Sequence, residues 1–556
     1  GLAQLVSLSI SPKGLIMQSI LLFLIPLLSL HLVQSLRTLD FKSHWNPQPG
    51  NPGLRIRLTK KGINQLKNVG VKLLNEKISH LSGYSTDYPF SQPGLEGHVY
   101  LKDVRVLRFT PAQISVVNFL PPKFIVFGLE NMAISLAANF HGTAQHNLFK
   151  VDGKVEGTIN GLTIALTSEL QTTREGNLIV KVPNCSTIIS HSHFNLHPEG
   201  LLGPVVKVFE GHINDVVRQR IPIMFCSKLQ QLIEKNSPRL FEKLSKTTFE
   251  DKFDSSTISE TEMMQKFIAD LIHGLYMDNS HIHSPIVTYD YFETQQRGEI
   301  RYDTHYIPTP FYPKFMNVPV ASDRMLYLFG SDYLFNSMLF HSYERNKLTL
   351  MLDNSNVPPL YRRALDTSCG GAPSADLLAG ICVGRLLPSI ATAFPNSTTS
   401  FLLVPHTMPD FSFNGESAAV GLQTRILSYV HSSGRRHQMM VASAEGQADV
   451  LLHVDQERMW GEIKLNKLGV HLHRASVAGI DPESVEQLSP LAKTFIGPQL
   501  SSKLQKGMPF PLKGQVKLLD PRLRIDEGYV ELATDFILNE DVLREKINEA
   551  FSKLEF

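Results

Sequence analysis

The chain has 556 residues, 42% of them hydrophobic and 19% charged, with a formal net charge of +2. That balance excludes a disordered or fibrous protein, leaves room for two or more globular domains, and gives no reason to expect a nucleic-acid partner.

The first methionine is Met17, and "MQSILLFLIPLLSLHLVQS" carries an apolar run from Ile20 to Leu30, with Val33 and Ser35 at the spacing read by signal peptidase. The run is too short for a membrane anchor, which needs about 20 apolar residues. Residues 1–35 are expected to be an upstream extension plus a signal peptide, with a mature chain from Leu36 that is secreted and extracellular.

"LRIRL" (Leu54, Ile56, Leu58) alternates as a half-buried strand does. "RLTKKGINQLKNVGVKLLNEKISHL", Arg57 to Leu81, then reads as one long helix. Thr59 can cap it, and Ile63, Leu66, Val69, Leu73, Leu74, Ile78 and Leu81 recur at near-helical spacing. With Val71 these side chains cover roughly 200° of the circumference, against about 100° for a helix lying on a surface. Despite its five lysines, the helix is therefore expected inside a wrapping sheet rather than on a membrane, with Lys67 and Lys77 snorkelling out of the apolar arc.

Further strands follow in "GHVYLKDVRVLRF" and "GLTIALT" (Leu162, Ile164, Leu166), and beyond a proline-rich segment in "RMLYLFGSDYLF", "ADVLLHV" and "GEIKLNKLGVHLH". That segment, residues 285–322, holds Pro285, Pro308, Pro310, Pro313 and Pro319 among Tyr302, Tyr306, Phe311, Tyr312 and Phe315, and reads as a linker strap that packs down. "HPEGLLGPVVKVFEGHINDVV" from His197 and "DPESVEQLSPLAKTFIGPQL" from Asp481 both follow strands and continue as helices, which suggests a duplicated domain.

Four cysteines, Cys185, Cys226, Cys369 and Cys382, leave three pairings open, of which one bridge per half is the most economical. Glycosylation sequons occur at Asn184 and Asn396. The pairs His191/His193, His281/His283 and His471/His473 could each share a strand face, but read as exposed strand histidines and not as metal sites. There is no Gly-x-Ser-x-Gly elbow, no His-Glu-x-x-His and no Walker-type loop, so no catalytic residue is assigned and no enzyme is expected.

Taken together, the sequence resembles the family of bactericidal/permeability-increasing protein, lipopolysaccharide-binding protein and the plasma lipid transfer proteins. Four stretches carry the resemblance: "NPGLRIRLTKKGINQL" from Asn51, the Cys185 to Cys226 spacing around a long helix, "DRMLYLFGSDYLFNSM" after the strap, and "SSKLQKGMPFPL" at 501–512. The resemblance implies an α+β boomerang of two similar domains, each a highly twisted antiparallel sheet rolled around a long helix. A central sheet and the proline-rich linker would join residues 36–284 to residues 323–556. It further implies apolar pockets for phospholipid acyl chains, with candidate wall residues Leu66, Val69 and Leu73 on the first helix, Val205, Phe209 and Val216 on the second, and Leu491 and Phe495 in the other half. Plain core packing predicts the same residue types at those positions. The expected ligand is a phospholipid or other amphipathic lipid, with no other cofactor, and the expected partner is a lipid membrane or lipoprotein surface met transiently.

The alternative function is innate-immune recognition of bacterial lipopolysaccharide without shuttling, and a secreted lipid hydrolase is the remaining class. Bactericidal members carry lysine-rich tip hairpins; here the corresponding loops read "YPFSQPGLEGHVY" and "ISLAANFHGTAQHNLFKVDG", where only Lys150 is positive. Residues 36–285 contain 27 Lys plus Arg against 22 Asp plus Glu, and residues from 286 contain 26 against 30, an asymmetry too mild for strong attraction to anionic membranes.

Overall fold

The computed structural model describes residues 42, 45–80, 82–92, 95–144, 149–199, 203–242, 245–249, 263–304, 306–320, 322–357, 359–369, 382–456, 458–490, 493, 505, 508–509 and 516–545. The expected extension and signal peptide, 1–35, lie outside the described residues. The chain divides into the units Gly1–Ser43 and His44–Phe556, and every element named below belongs to the second.

Strand β1 (Leu54–Thr59) leads directly into α1 (Lys60–Ser79). The helix thus begins at Lys60 and not at Arg57. Thr59 Oγ1 accepts the Gly62 N–H at 3.3 Å, one of the donors that a helix start leaves without an internal partner. Arg57 and Leu58 stay in the strand because their backbones pair with Glu293 and Phe292 on one side and with Tyr327 and Leu326 on the other. A side chain at Gly62 would stand 2.4 Å from the Met325 carbonyl oxygen, so only glycine permits this approach.

The next elements form one antiparallel sheet: β2 (Tyr84–Gln92), β3 (Leu95–Thr110), β4 (Ile114–Leu120), β5 (Phe124–Ala144), β6 (Phe149–Thr172) and β7 (Leu178–Pro198). The order is β2-β3-β5-β6-β7, with β4 paired to β5. The two stretches read from sequence as tip loops are largely paired strand ends: Tyr88 to Gln92 pairs with Leu95 to Val99, and Ile134 to Ala144 pairs with Phe149 to Ile159. Strands of this length carry their hairpin registers almost to the turns.

Helix α2 (Gly203–Glu242) runs 40 residues and continues through Pro222 and Pro238. It is followed by β8 (Lys246–Thr248), α3 (Met263–Ile272), β9 (Leu275–Asp278), β10 (His281–Val287), β11 (Tyr291–Gln296) and β12 (Glu299–Tyr302). The first part of the expected linker is therefore strand, and residues 306–320 run without helix or ladder strand. Phe311 in that stretch is buried and stacks on Trp45 at 4.3 Å, and Met316 joins the cluster of Tyr327, Phe329 and Tyr529.

Strand β13 (Leu326–Ser331) turns at Asp332 into α4 (Tyr333–Glu344). The alternation read through "DYLF" thus gives way to helix, and Phe335 packs with Phe411 and Phe413. The remaining elements are β14 (Leu350–Leu352), α5 (Val383–Leu386), α6 (Pro388–Ala393), β15 (Thr398–Pro405), β16 (Asp410–Phe413), β17 (Ala418–Ser432), β18 (Arg435–Val454), β19 (Arg458–Ala475), α7 (Pro482–Glu486), β20 (Met508–Pro509), β21 (Val516–Asp526) and β22 (Tyr529–Leu538). A second sheet runs β14-β15-β17-β18-β19-β20 over a core of Val383, Leu387, Ile390, Met439 and Met440. Of the two helices suggested as an internal echo, α2 follows β7, whereas the other is described only over its first turns as α7.

A third sheet, ordered β10-β11-β1-β13-β22-β21, joins strands from before and after the stretch 306–320. Strand β1 sits between β11, which precedes that stretch, and β13, which follows it. The architecture is α+β with strands predominant, and disulfides link Cys185 to Cys226 and Cys369 to Cys382.

Candidate functional site

Helix α1 lies against β3, β4 and β22. Leu66 is half-buried between two core clusters, one around Ile63, Val117, Phe119 and Ile125, the other around Leu518, Leu532 and Phe536. Val69 and Leu73 are buried, Leu73 to 3% exposure. The lysines on the opposite face are engaged rather than free: Lys61 pairs with Asp535 at 2.8 Å and Lys72 with Glu540 at 2.6 Å. Lys67 snorkels as expected from its place in the apolar arc, its Nζ donating to the Ser115 carbonyl at 2.8 Å. The side chain of Lys77 lies outside the described residues.

Helix α2 is fastened along β7 by polar bonds, one covalent bridge and the packing of Val217 against Ile159 and Ile189. The Asn214 side-chain oxygen accepts the Phe194 N–H at 3.0 Å, Glu234 accepts the Val182 N–H at 2.9 Å, and Ser237 accepts the Val180 N–H at 3.1 Å. Between them stands the Cys185–Cys226 disulfide, with Thr187 Oγ1 3.3 Å from Cys226 Sγ. Val182 can donate to the helix because the β6–β7 register shifts between Thr167 and Glu169, which removes it from the ladder. The Val182 N–H in turn holds the Glu234 carboxyl below its ordinary pKa, since the bond favours the charged form.

This fastening leaves apolar groups outside. Ile223 is 71% exposed, Met224 and Phe225 are exposed beside it, and Ile188, one residue beyond Thr187 on β7, is 57% exposed. Three successive helical residues point in directions about 100° apart, so they cannot all face one sheet. That was the available signal in "IPIMFC", which the sequence reading did not use. Three adjacent exposed apolar residues mark a ligand, membrane or partner surface more often than scattered ones do; Ile188, next to the helix-facing Thr187, points to the opposite face of β7.

Of the residues proposed from sequence as pocket wall, Leu66, Val69 and Leu73 come together on α1. Val205, Phe209 and Val216 fall on α2, but their side chains lie outside the described residues, as do Leu491 and Phe495 altogether. Asn184 and Asn396 are both exposed, Asn184 on β7 and Asn396 just before β15. His191, His193, His471 and His473 are exposed strand residues, whereas His281 is part-buried, with Nδ1 3.3 Å from the Gly176 carbonyl oxygen. Burial lowers the His281 pKa. Among the described residues no helix is long and apolar enough to cross a membrane.

Residues 271–538 match the model of the LBP / BPI / CETP family, C-terminal domain. Those residues belong to that family, as its C-terminal domain. The match begins within α3 and ends with β22, so it takes in β10 and β11 of the third sheet as well as the later strands. Full-length relatives extend the similarity. Bactericidal permeability-increasing protein of Sebastes schlegelii is 19% identical over 87% of this chain and 95% of its own length. Human lipopolysaccharide-binding protein is 21% identical over 87% and 93%, and human BPI fold-containing family C protein 19% identical over 87% and 88%. A crystal structure of lipopolysaccharide binding protein covers 88% of this chain and 100% of its own at 17% identity, with a TM-score of 0.45.

Proposed function

We propose that this chain is a secreted, non-enzymatic protein that binds lipid and transfers it, holding phospholipid acyl chains against apolar side chains of α1 and α2. The exposed run Ile223, Met224 and Phe225 carries the reading, because water-facing apolar surface on a helix whose other side is fastened to β7 is surface left for an apolar ligand. Each acyl methylene withdrawn from water gains about 0.8 kcal/mol, so a partly buried tail outweighs a few headgroup contacts. Leu66, Val69, Leu73, Val205, Phe209 and Val216 are proposed for the pocket of an N-terminal domain, 36–284, and Leu491 and Phe495 for that of a C-terminal domain, 323–556. The two would form a boomerang joined through residues 285–322, with glycans on Asn184 and Asn396.

The test is native extraction followed by mass spectrometry of bound lipid, then phospholipid exchange between donor and acceptor vesicles. Co-purified phospholipid and transfer support the proposal, and transfer should fall when Ile223, Met224 and Phe225 are replaced by serine. Protein that leaves a lipid-replete host empty sinks it. The names of several relatives favour a second reading, recognition of lipopolysaccharide without shuttling, which predicts lipopolysaccharide binding without vesicle transfer. Release of fatty acid from phospholipid or neutral ester would instead identify a hydrolase.

A further inference from the structure

On the side of the molecule formed by β8, β9 and β12, a polar recess of about 460 Å³ gathers three cations from three segments: Lys246 on β8, Arg297 between β11 and β12, and Arg301 on β12. Its buried carboxylate, Asp278, is already committed. One of its oxygens takes Arg301 Nη2 at 2.9 Å and lies 3.6 Å from Arg297 Nε, and the other accepts the Ser280 N–H at 3.0 Å. Asp278 therefore orients the two guanidinium groups without using up their donors, of which each has five. Arg301 Nε is buried without a hydrogen-bond partner.

The cations are also held in place by rings. Tyr276 lies 4.2 Å from Lys246 Nζ and 5.4 Å from the Arg301 guanidinium carbon, which is itself 4.4 Å from the ring of Tyr306. Among the lining residues the only other carboxylate is the exposed Glu175. Lys246 also pairs with Asp303, but both are exposed, and a pair of that kind contributes little and exchanges readily for a better anion. We infer that this recess binds a phosphate monoester group, with Arg297 and Arg301 supplying planar forks and Lys246 a point charge. The group can come from inorganic phosphate or from a lipid headgroup, and the site is separate from the acyl-chain surface on α2.

The experiment is calorimetric titration of the full chain with inorganic phosphate, paired with flotation on vesicles containing phosphatidic acid. Lys246→Gln, Arg297→Gln and their double variant are compared with wild type, their folding checked by thermal unfolding; both side chains are exposed. Wild type should bind phosphate with a dissociation constant of about 1 mM, each single variant should weaken it about tenfold, and the double variant should abolish it. Loss of vesicle binding in parallel assigns the group to a lipid headgroup, whereas unchanged vesicle behaviour assigns it to a free solute. Absence of saturable phosphate binding by wild type, or equal binding by wild type and a folded double variant, overturns the inference.

Discussion

Arg57 on β1 and Glu293 on β11 face each other in an ion pair of 2.8 Å, each side chain 1% exposed. Glu293 also holds Arg55 at 2.6 Å, and the two arginines reach into the proline-rich stretch, Arg57 to the Pro319 carbonyl at 2.7 Å and Arg55 to that of Met316 at 3.3 Å. The guanidinium of Arg57 lies 4.1 Å from the centre of the Tyr291 ring. Two cations, one carboxylate and the irregular segment 306–320 thus form one buried network on the sheet that joins strands from either side of that segment. Replacing Glu293 by Gln strands Arg57 in low dielectric and should cost about 3 to 5 kcal/mol, read as a lower urea midpoint. Arg57→Met combined with Glu293→Leu should lose less than the two single changes summed; simple additivity would show that the pair is not coupled.

Leu73 provides the corresponding test on α1. Its side chain is buried, so Leu73→Asp places a carboxylate on the apolar side of the helix and should cost more than about 3 kcal/mol, together with lipid loading. Asn68→Asp, on the exposed side of the same helix, should change stability by less than about 0.5 kcal/mol. If Leu73→Asp reduced only adsorption to vesicles, with thermal unfolding and loading unchanged, the buried placement of α1 would be wrong.

These two helix ends show what the sequence could and could not disclose. The breadth of the apolar arc and the Thr59 cap are local properties, so α1 was legible together with the burial of its apolar side. Arg57 was read in both the strand "LRIRL" and the helix stretch, because the partner that buries it, Glu293, is 236 residues away and nothing local announces a buried arginine. Still larger separations, 474 and 468 residues, hid the pairing of Lys61 with Asp535 and of Lys72 with Glu540. Helix α2 was recognisable from its periodic start, but not its passage through Pro222 and Pro238. The exposed Ile223 to Phe225 run was visible as letters and not as surface, because exposure depends on how β7 fastens the helix.

The disulfides should contribute unequally. Cys185 and Cys226 are separated by 41 residues and Cys369 and Cys382 by 13. By chain entropy alone, paired Ser replacement of the first should cost about 4 kcal/mol and of the second about 3. Urea midpoints of the two double variants, measured without reductant, check the order. A larger loss from the second pair would mean that local packing near α5 outweighs loop closure.

Glu234 supplies a pH dependence whose sign follows from its bond to the β7 bulge. Its carboxyl titrates below the ordinary value of 4.5 in the folded chain because it accepts the Val182 N–H. The unfolded chain then binds the proton more readily, so this contribution is fully present above pH 4.5 and is lost as pH falls through the lower, folded value. At pH 7, Glu234→Ala should cost about 1 to 2 kcal/mol, the range for a hydrogen bond to a partly exposed charged group. Glu234→Gln should recover part of that, since an amide oxygen can still accept the same N–H. As pH falls from 4.5 through the lower, folded value, the gap between wild type and Glu234→Gln should narrow, as urea unfolding at a series of pH values would show. A gap that stayed constant with pH would mean that the carboxylate charge plays no part in fastening α2 to β7.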